Sequence, residues 1–126
     1  MIIKYRNKKI EITAKKVSSV GKITGLMLKT KNTENLLFEF SKKTEMKIHS
    51  YFVFFKFLAI WLDEKNNAVD FKIVSPFAFS VSAKKPFRKL VELPFNYKNR
   101  KIIVFFVGEE LASFIPPLIK FPFVRQ

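Results

Sequence analysis

Cysteine is absent from this 126-residue chain, histidine occurs once and glycine only 3 times. Without thiols, disulfide scaffolds, zinc ribbons, thiol catalysis and cysteine-ligated clusters are all excluded. The single histidine, His49, removes multi-histidine metal sites as well. Gly21 and Gly25 are followed by no Gly-Lys-Ser or Gly-Lys-Thr, so no phosphate loop can be built. Acid is scarce too, with 10 carboxylates against 24 Lys plus Arg and a formal charge of +14. Long apolar runs are missing: the stretch from Tyr51 to Leu62 is broken by Lys56, whereas a spanning helix needs about 20 residues. The start, Met1 to Arg6, lacks the apolar run and cleavage site of a secretory signal. The expectation is a soluble, cytoplasmic protein without a cofactor.

What is present is core material. The apolar share is 48% and phenylalanine reaches 16 residues, enough for one packed domain and too much for a disordered chain. Lysine supplies 20 of the 24 basic positions. A protein built to read nucleic acid favours arginine, whose planar fork pairs bidentately with phosphate and guanine, so part of this charge is compositional.

Short runs rich in β-formers dominate. Ile2 to Tyr5 and Lys9 to Ala14 flank Arg6-Asn7-Lys8, and Ile10, Ile12 and Ala14 alternate with polar residues, which predicts a hairpin with one buried face. Val17, Val20, Ile23 and Met27 have helical spacing and predict a short helix. Leu36 to Phe40 reads as a strand followed by a turn over Ser41 to Thr44. Lys47 to Leu62 is too long for one flat strand and is expected to bend or break near Phe55-Lys56. Asp63 to Asn67 is the clearest turn, followed by alternation at Val69, Phe71 and Ile73. Leu90 to Leu93 and Lys101 to Val107 are further strand candidates. The fold class expected is mainly β, a small antiparallel barrel or strongly bent sheet with one or two short helices.

Chemistry is sparse. A serine nucleophile needs a base, and His49 lies beside Ser50, where an extended chain turns adjacent side chains to opposite faces. Asp63-Glu64 reads as a solvated turn, and Glu109-Glu110 as acids favouring a helix N-terminus. Lysine pairs at 8–9, 15–16, 42–43 and 84–85 can gather on one rim of a barrel and meet phosphates. The aromatic run from Tyr51 to Phe57 is either core or a platform for stacking bases, and the platform reading needs several of Tyr51, Phe54, Phe57 and Trp61 in solvent.

In order along the chain stand Gly25-Leu26-Met27, Leu36-Leu37-Phe38-Glu39-Phe40, Ile48-His49, Leu62-Asp63-Glu64 and Leu90-Val91-Glu92-Leu93-Pro94, with fourteen residues from His49 to Asp63. This set resembles the uncharacterised family called domain of unknown function 192, in its archaeal form, from about Ile10 to Pro94. The resemblance implies a compact β-rich domain with no established activity, and a binding or structural role rather than catalysis. It implies that Lys29, His49, Ser50 and Glu92 are the polar positions lining a shared pocket, for a small ligand or hydrolase chemistry in the alternative reading. Where the family has an arginine and an aspartate, this chain has Phe54 and Leu58, which implies apolar volume in place of that pair. Family members often carry a signal peptide, which is not seen here.

The resemblance fades after Pro94. Residues 1–95 are therefore expected to form the barrel-like part, and 96–126 a C-terminal strand and Pro/Phe-rich arm packed on the same domain. Partners consistent with this reading are nucleic acid at the lysine-rich rims and a protein at the apolar arm.

Overall fold

A computed structural model describes residues 1–17, 26, 29–50, 53–78, 80–113 and 115. Its seven strands are β1 (Ile2–Tyr5), β2 (Lys8–Glu11), β3 (Lys15–Val17), β4 (Leu36–Thr44), β5 (Phe57–Leu62), β6 (Ala68–Val74) and β7 (Phe87–Pro94). Two helices follow, α1 (Arg100–Val107) and α2 (Glu109–Ala112). β1 and β2 form a separate hairpin, and the other five strands make one sheet in the order β3-β4-β7-β5-β6. The fold is mainly β with two short α-helices, as the composition predicts. Among the described residues the sheet is open, ending at β3 and β6, and is not the closed barrel given as one form of that expectation. One pair, β3 with β4, runs parallel.

The aromatic middle of the chain is the centre of the molecule. All six residues of β5 are buried, because this strand lies inside the sheet with both of its faces covered. Leu58, Ile60 and Leu62 face a core shared with Val91, Leu93, Ile3, Ile12, Ile103 and Phe106. Phe57, Ala59 and Trp61 face the other core with Leu36, Ile48, Val74, Phe87 and Leu90. A strand buried on both sides has no reason to alternate, which is why Phe-Leu-Ala-Ile-Trp-Leu is apolar throughout.

The long stretch Lys47 to Leu62 breaks as expected: Ile48 makes an isolated bridge to Val81, and the strand resumes only at Phe57. Asp63 closes the following turn by accepting from the backbone of Lys65 and Asn67, each at 2.9 Å, with Asn66 in the left-handed region at φ 66°. Burial works against its ionisation, but these hydrogen bonds and the charge of Lys4 hold its pKa below the usual value.

Two expectations are corrected. Lys101 to Val107 is not a strand but most of α1, because a short apolar run has no period that separates strand from helix. Asn96 starts the turn before this helix by accepting from the backbone N–H of Asn99 at 3.0 Å, and Gly108 ends it at φ 91°. Ile103 and Phe106, three residues apart, then bury one helical face against the sheet. Ser41 to Thr44 is not a turn but the end of β4, whose register shifts against β7 there. The short helix expected over Val17 to Met27 falls, apart from Val17 at the end of β3 and Leu26, outside the described residues. So does the arm at 116–126. Glu109 and Glu110 do open a helix, α2. Among the described residues no helix is long and apolar enough to cross a membrane.

Candidate functional site

The four pocket candidates are placed very differently. Lys29 is exposed, on the loop that precedes β4. His49 is half-buried, next to the Ile48 bridge. Ser50 is fully buried, and its hydroxyl is committed to backbone: it donates to the carbonyl of Ser75 at 2.7 Å and accepts from the N–H of Ala78 at 2.5 Å. Its own N–H donates to Ala78 at 2.9 Å, and its carbonyl accepts from Phe77 and Val53. Ser50 therefore clamps the segments on either side of Phe54 and Phe77, and the hydroxyl is spent on structure.

Glu92 sits on β7 directly between Leu36 of β4 and Ala59 of β5, on the face carrying Trp61 and Leu90. It is 7% exposed. No hydrogen bond or ion pair from another described residue reaches its carboxyl, and burial pushes its pKa up to about 8. An apolar site favours the uncharged acid, so Glu92 holds its proton at neutral pH. Phe54 and Leu58, the positions implied to fill one apolar space, separate: Leu58 is fully buried and Phe54 is 60% exposed.

The stacking-platform reading fares no better along this run. Phe57 and Trp61 are buried, Phe54 is the one exposed ring among the described residues of this run, and Tyr51 lies outside the described residues. Among the described residues, no three His, Asp or Glu side chains converge in a metal-binding group.

A cluster of cations stands instead at the first hairpin. Arg6 and Asn7 occupy its tip at φ 51° and 63°, the left-handed pair that a tight two-residue turn demands. Arg6 lies over the Tyr5 ring at 5.2 Å. Lys4 and Lys9 are direct cross-strand partners, a like-charge pairing that works against the hairpin. The strand edge docks on the Asp63 turn through the Lys4 N–H, which donates to Asn66 at 2.9 Å. Between hairpin and turn is a cleft of about 500 Å³ lined by Lys4, Tyr5, Arg6, Lys8, Lys9 and Asn67, among others. None of its lining residues is acidic. A second cleft of about 530 Å³ shares Tyr5, Arg6 and Lys8 and runs to Val104, Phe105 and Gly108. The lysine pair at 8–9 is visible in the sequence; its company with Lys4 depends on hairpin register.

A third cleft, of about 390 Å³, lies over a knot of asparagines. Asn35 and Asn99 exchange side-chain amide hydrogen bonds at 2.8 and 2.9 Å, and Asn99 also donates to Pro94. Asn96 donates to the carbonyl of Lys31 at 2.8 Å. These amides tie the loop before β4 to the start of α1 and are satisfied by one another, a structural use.

No protein-family model matches the sequence, and no curated protein matches it. Two solved structures share the fold. One is a candidate transcription regulator from Sinorhizobium meliloti, 12% identical, covering 74% of this chain and 76% of its own, with a TM-score of 0.63. The other is a protein of unknown function from Novosphingobium aromaticivorans, 14% identical, covering 63% of this chain, with a TM-score of 0.54. The match spans 59% of that second protein's length. At these identities the likeness is one of fold.

Proposed function

We propose that this chain is a non-enzymatic binding domain, of the type called domain of unknown function 192, which takes a phosphate-bearing polyanion at the β1–β2 hairpin. The observation that carries this reading is the cleft with four cations, Lys4, Arg6, Lys8 and Lys9, and no acid in its lining. Elsewhere some cations have acidic partners: Glu39 pairs with Lys16 at 2.7 Å and Lys89 at 3.8 Å, Glu34 with Lys15, and Glu109 with Arg100. The acids of the hairpin and its docking turn, Glu11 and Asp63, lie outside the cleft lining. The family assignment is supported by the way the resembling segments fall on β4, the Ile48 bridge, the end of β5 and β7.

Single-stranded nucleic acid is the ligand to try first. The charge suits it, and one protein of the same fold is described as a candidate transcription regulator. Four contacts to a single strand give a log–log salt slope near −3, so raising salt fourfold weakens binding about 50-fold. The test is fluorescence anisotropy of labelled oligo(dT) against the full chain and against the R6A/K8A/K9A variant. Loss of binding and a flatter salt slope in the variant support the proposal; identical isotherms refute it.

A further inference from the structure

The opposite end of the sheet displays rings rather than charge alone. Pro94, the last residue of β7, pairs with Phe57, the first of β5, which in turn pairs with Val74, the last of β6. Beyond that end project Phe54, 60% exposed, and Phe77, 48% exposed, packed edge to face with ring centroids 5.3 Å apart. Tyr97, 50% exposed, follows β7 at the same end. Lys29, Lys31 and Lys98 are exposed on the adjoining loops, Lys31 being held there by the bond from Asn96. The exposed acid nearby, Glu34, is paired with Lys15 at 3.9 Å.

Keeping these rings in water is not the default outcome of folding. Phe77 has φ 61°, a conformation that bulky side chains avoid and that costs on the order of 1–3 kcal/mol. The Ser50 clamp holds it there through the hydrogen bonds from Phe77 and Ala78. The same clamp satisfies several backbone groups of the two loops internally: the N–H groups of Val53, Phe77 and Ala78 and the carbonyls of Ser75 and Ala78. The clamp thus lowers the number of polar groups that these loops would carry into an apolar medium.

We infer that this end docks on an anionic lipid bilayer, with Phe54 and Phe77 entering the acyl boundary, Tyr97 at the headgroups and the lysines on anionic lipid. Interfacial aromatic residues with a cationic collar are the physical recipe for a peripheral membrane site. One feature favours a bilayer over a nucleic-acid strand: Phe54 and Phe77 pack on each other as a single apolar knob, and a contact with centroids 5.3 Å apart leaves no slot between them for a base.

The experiment is co-sedimentation of the full chain with phosphatidylcholine vesicles, with and without phosphatidylglycerol. Binding is expected on the anionic vesicles, lowered about tenfold or more by F54A/F77A, since two half-buried rings are worth that much transfer free energy. In the R6A/K8A/K9A background, which removes three cations that also attract an anionic surface, the further loss caused by F54A/F77A is expected to persist, so this inference stands or falls apart from the hairpin reading. A second variant, Phe54→Trp, should shift its emission to the blue on adding anionic vesicles. Equal vesicle binding by parent and F54A/F77A, an unshifted F54W spectrum, or loss of oligo(dT) binding in F54A/F77A without vesicle binding by the parent would each overturn it.

Discussion

Glu92 makes stability depend on pH in a direction opposite to the usual carboxylate. An unfolded glutamate ionises near 4.5, whereas in the folded domain burial between Leu36 and Ala59 raises the pKa to about 8. Between those values the native state holds a proton that the unfolded state has released. The contribution is therefore fully present below pH 4.5 and is lost as pH rises through 8, at about 1.4 kcal/mol per unit. From pH 5.5 to 7.5 the loss is about 3 kcal/mol, which for a domain of this size lowers Tm by on the order of 10 °C. Glu92→Gln keeps the shape and cannot ionise. Urea unfolding followed by Trp61 emission should show the variant about 1 kcal/mol more stable than the parent at pH 5.5 and about 4 kcal/mol more stable at pH 7.5. Parallel pH profiles for the two proteins would refute the placement of this carboxyl in an apolar site.

Other consequences follow from the same structure. Below about pH 4.5 the sign reverses, because Glu39 and Asp63 have lowered pKa values, Glu39 through its hydrogen bond with Lys16, and their stabilisation disappears as they protonate; acid titration of E92Q should reveal that limb alone. Ser50→Ala strands the Ala78 N–H and should cost about 2 kcal/mol, read as a lower urea midpoint; an unchanged midpoint would mean the clamp carries no energy. Phe106→Ala, removing a ring packed against Tyr5 and Phe71, should cost about 3–4 kcal/mol, and a surface-sized loss would show that α1 does not cover the sheet. Trp61 is fully buried, so its emission should be blue-shifted and resist iodide quenching; efficient quenching would place the middle of the chain in solvent.

Much of the fold was legible because its signals are local. The hairpin, the Asp63 turn and the alternation of β6 each follow from a few adjacent residues. Where packing decides, the sequence was ambiguous: Ile102 to Phe106 suits either a strand or a helix, and only the sheet face that Ile103 and Phe106 cover selects the helix. The extension of β4 through Ser41 to Thr44 depends on pairing with β7, which no local pattern encodes. Among the candidate site residues, Ser50 and Glu92 did prove unusual, as buried polar groups, yet the reason differs: one is a structural clamp and the other a sealed carboxyl. The cationic cleft was half legible. A lysine pair is visible in one dimension, whereas the Lys4–Lys9 cross-strand pair exists only once register is fixed.

The claim that binding belongs to the surface and the aromatic middle to the core is tested most directly by mapping amide chemical-shift changes in the isotope-labelled full chain on titration with oligo(dT). The account predicts a cluster over Lys4 to Lys9 and Asn66 to Ala68, with His49, Ser50 and Glu92 unmoved. Shifts centred on those three residues, with the hairpin silent, would contradict it.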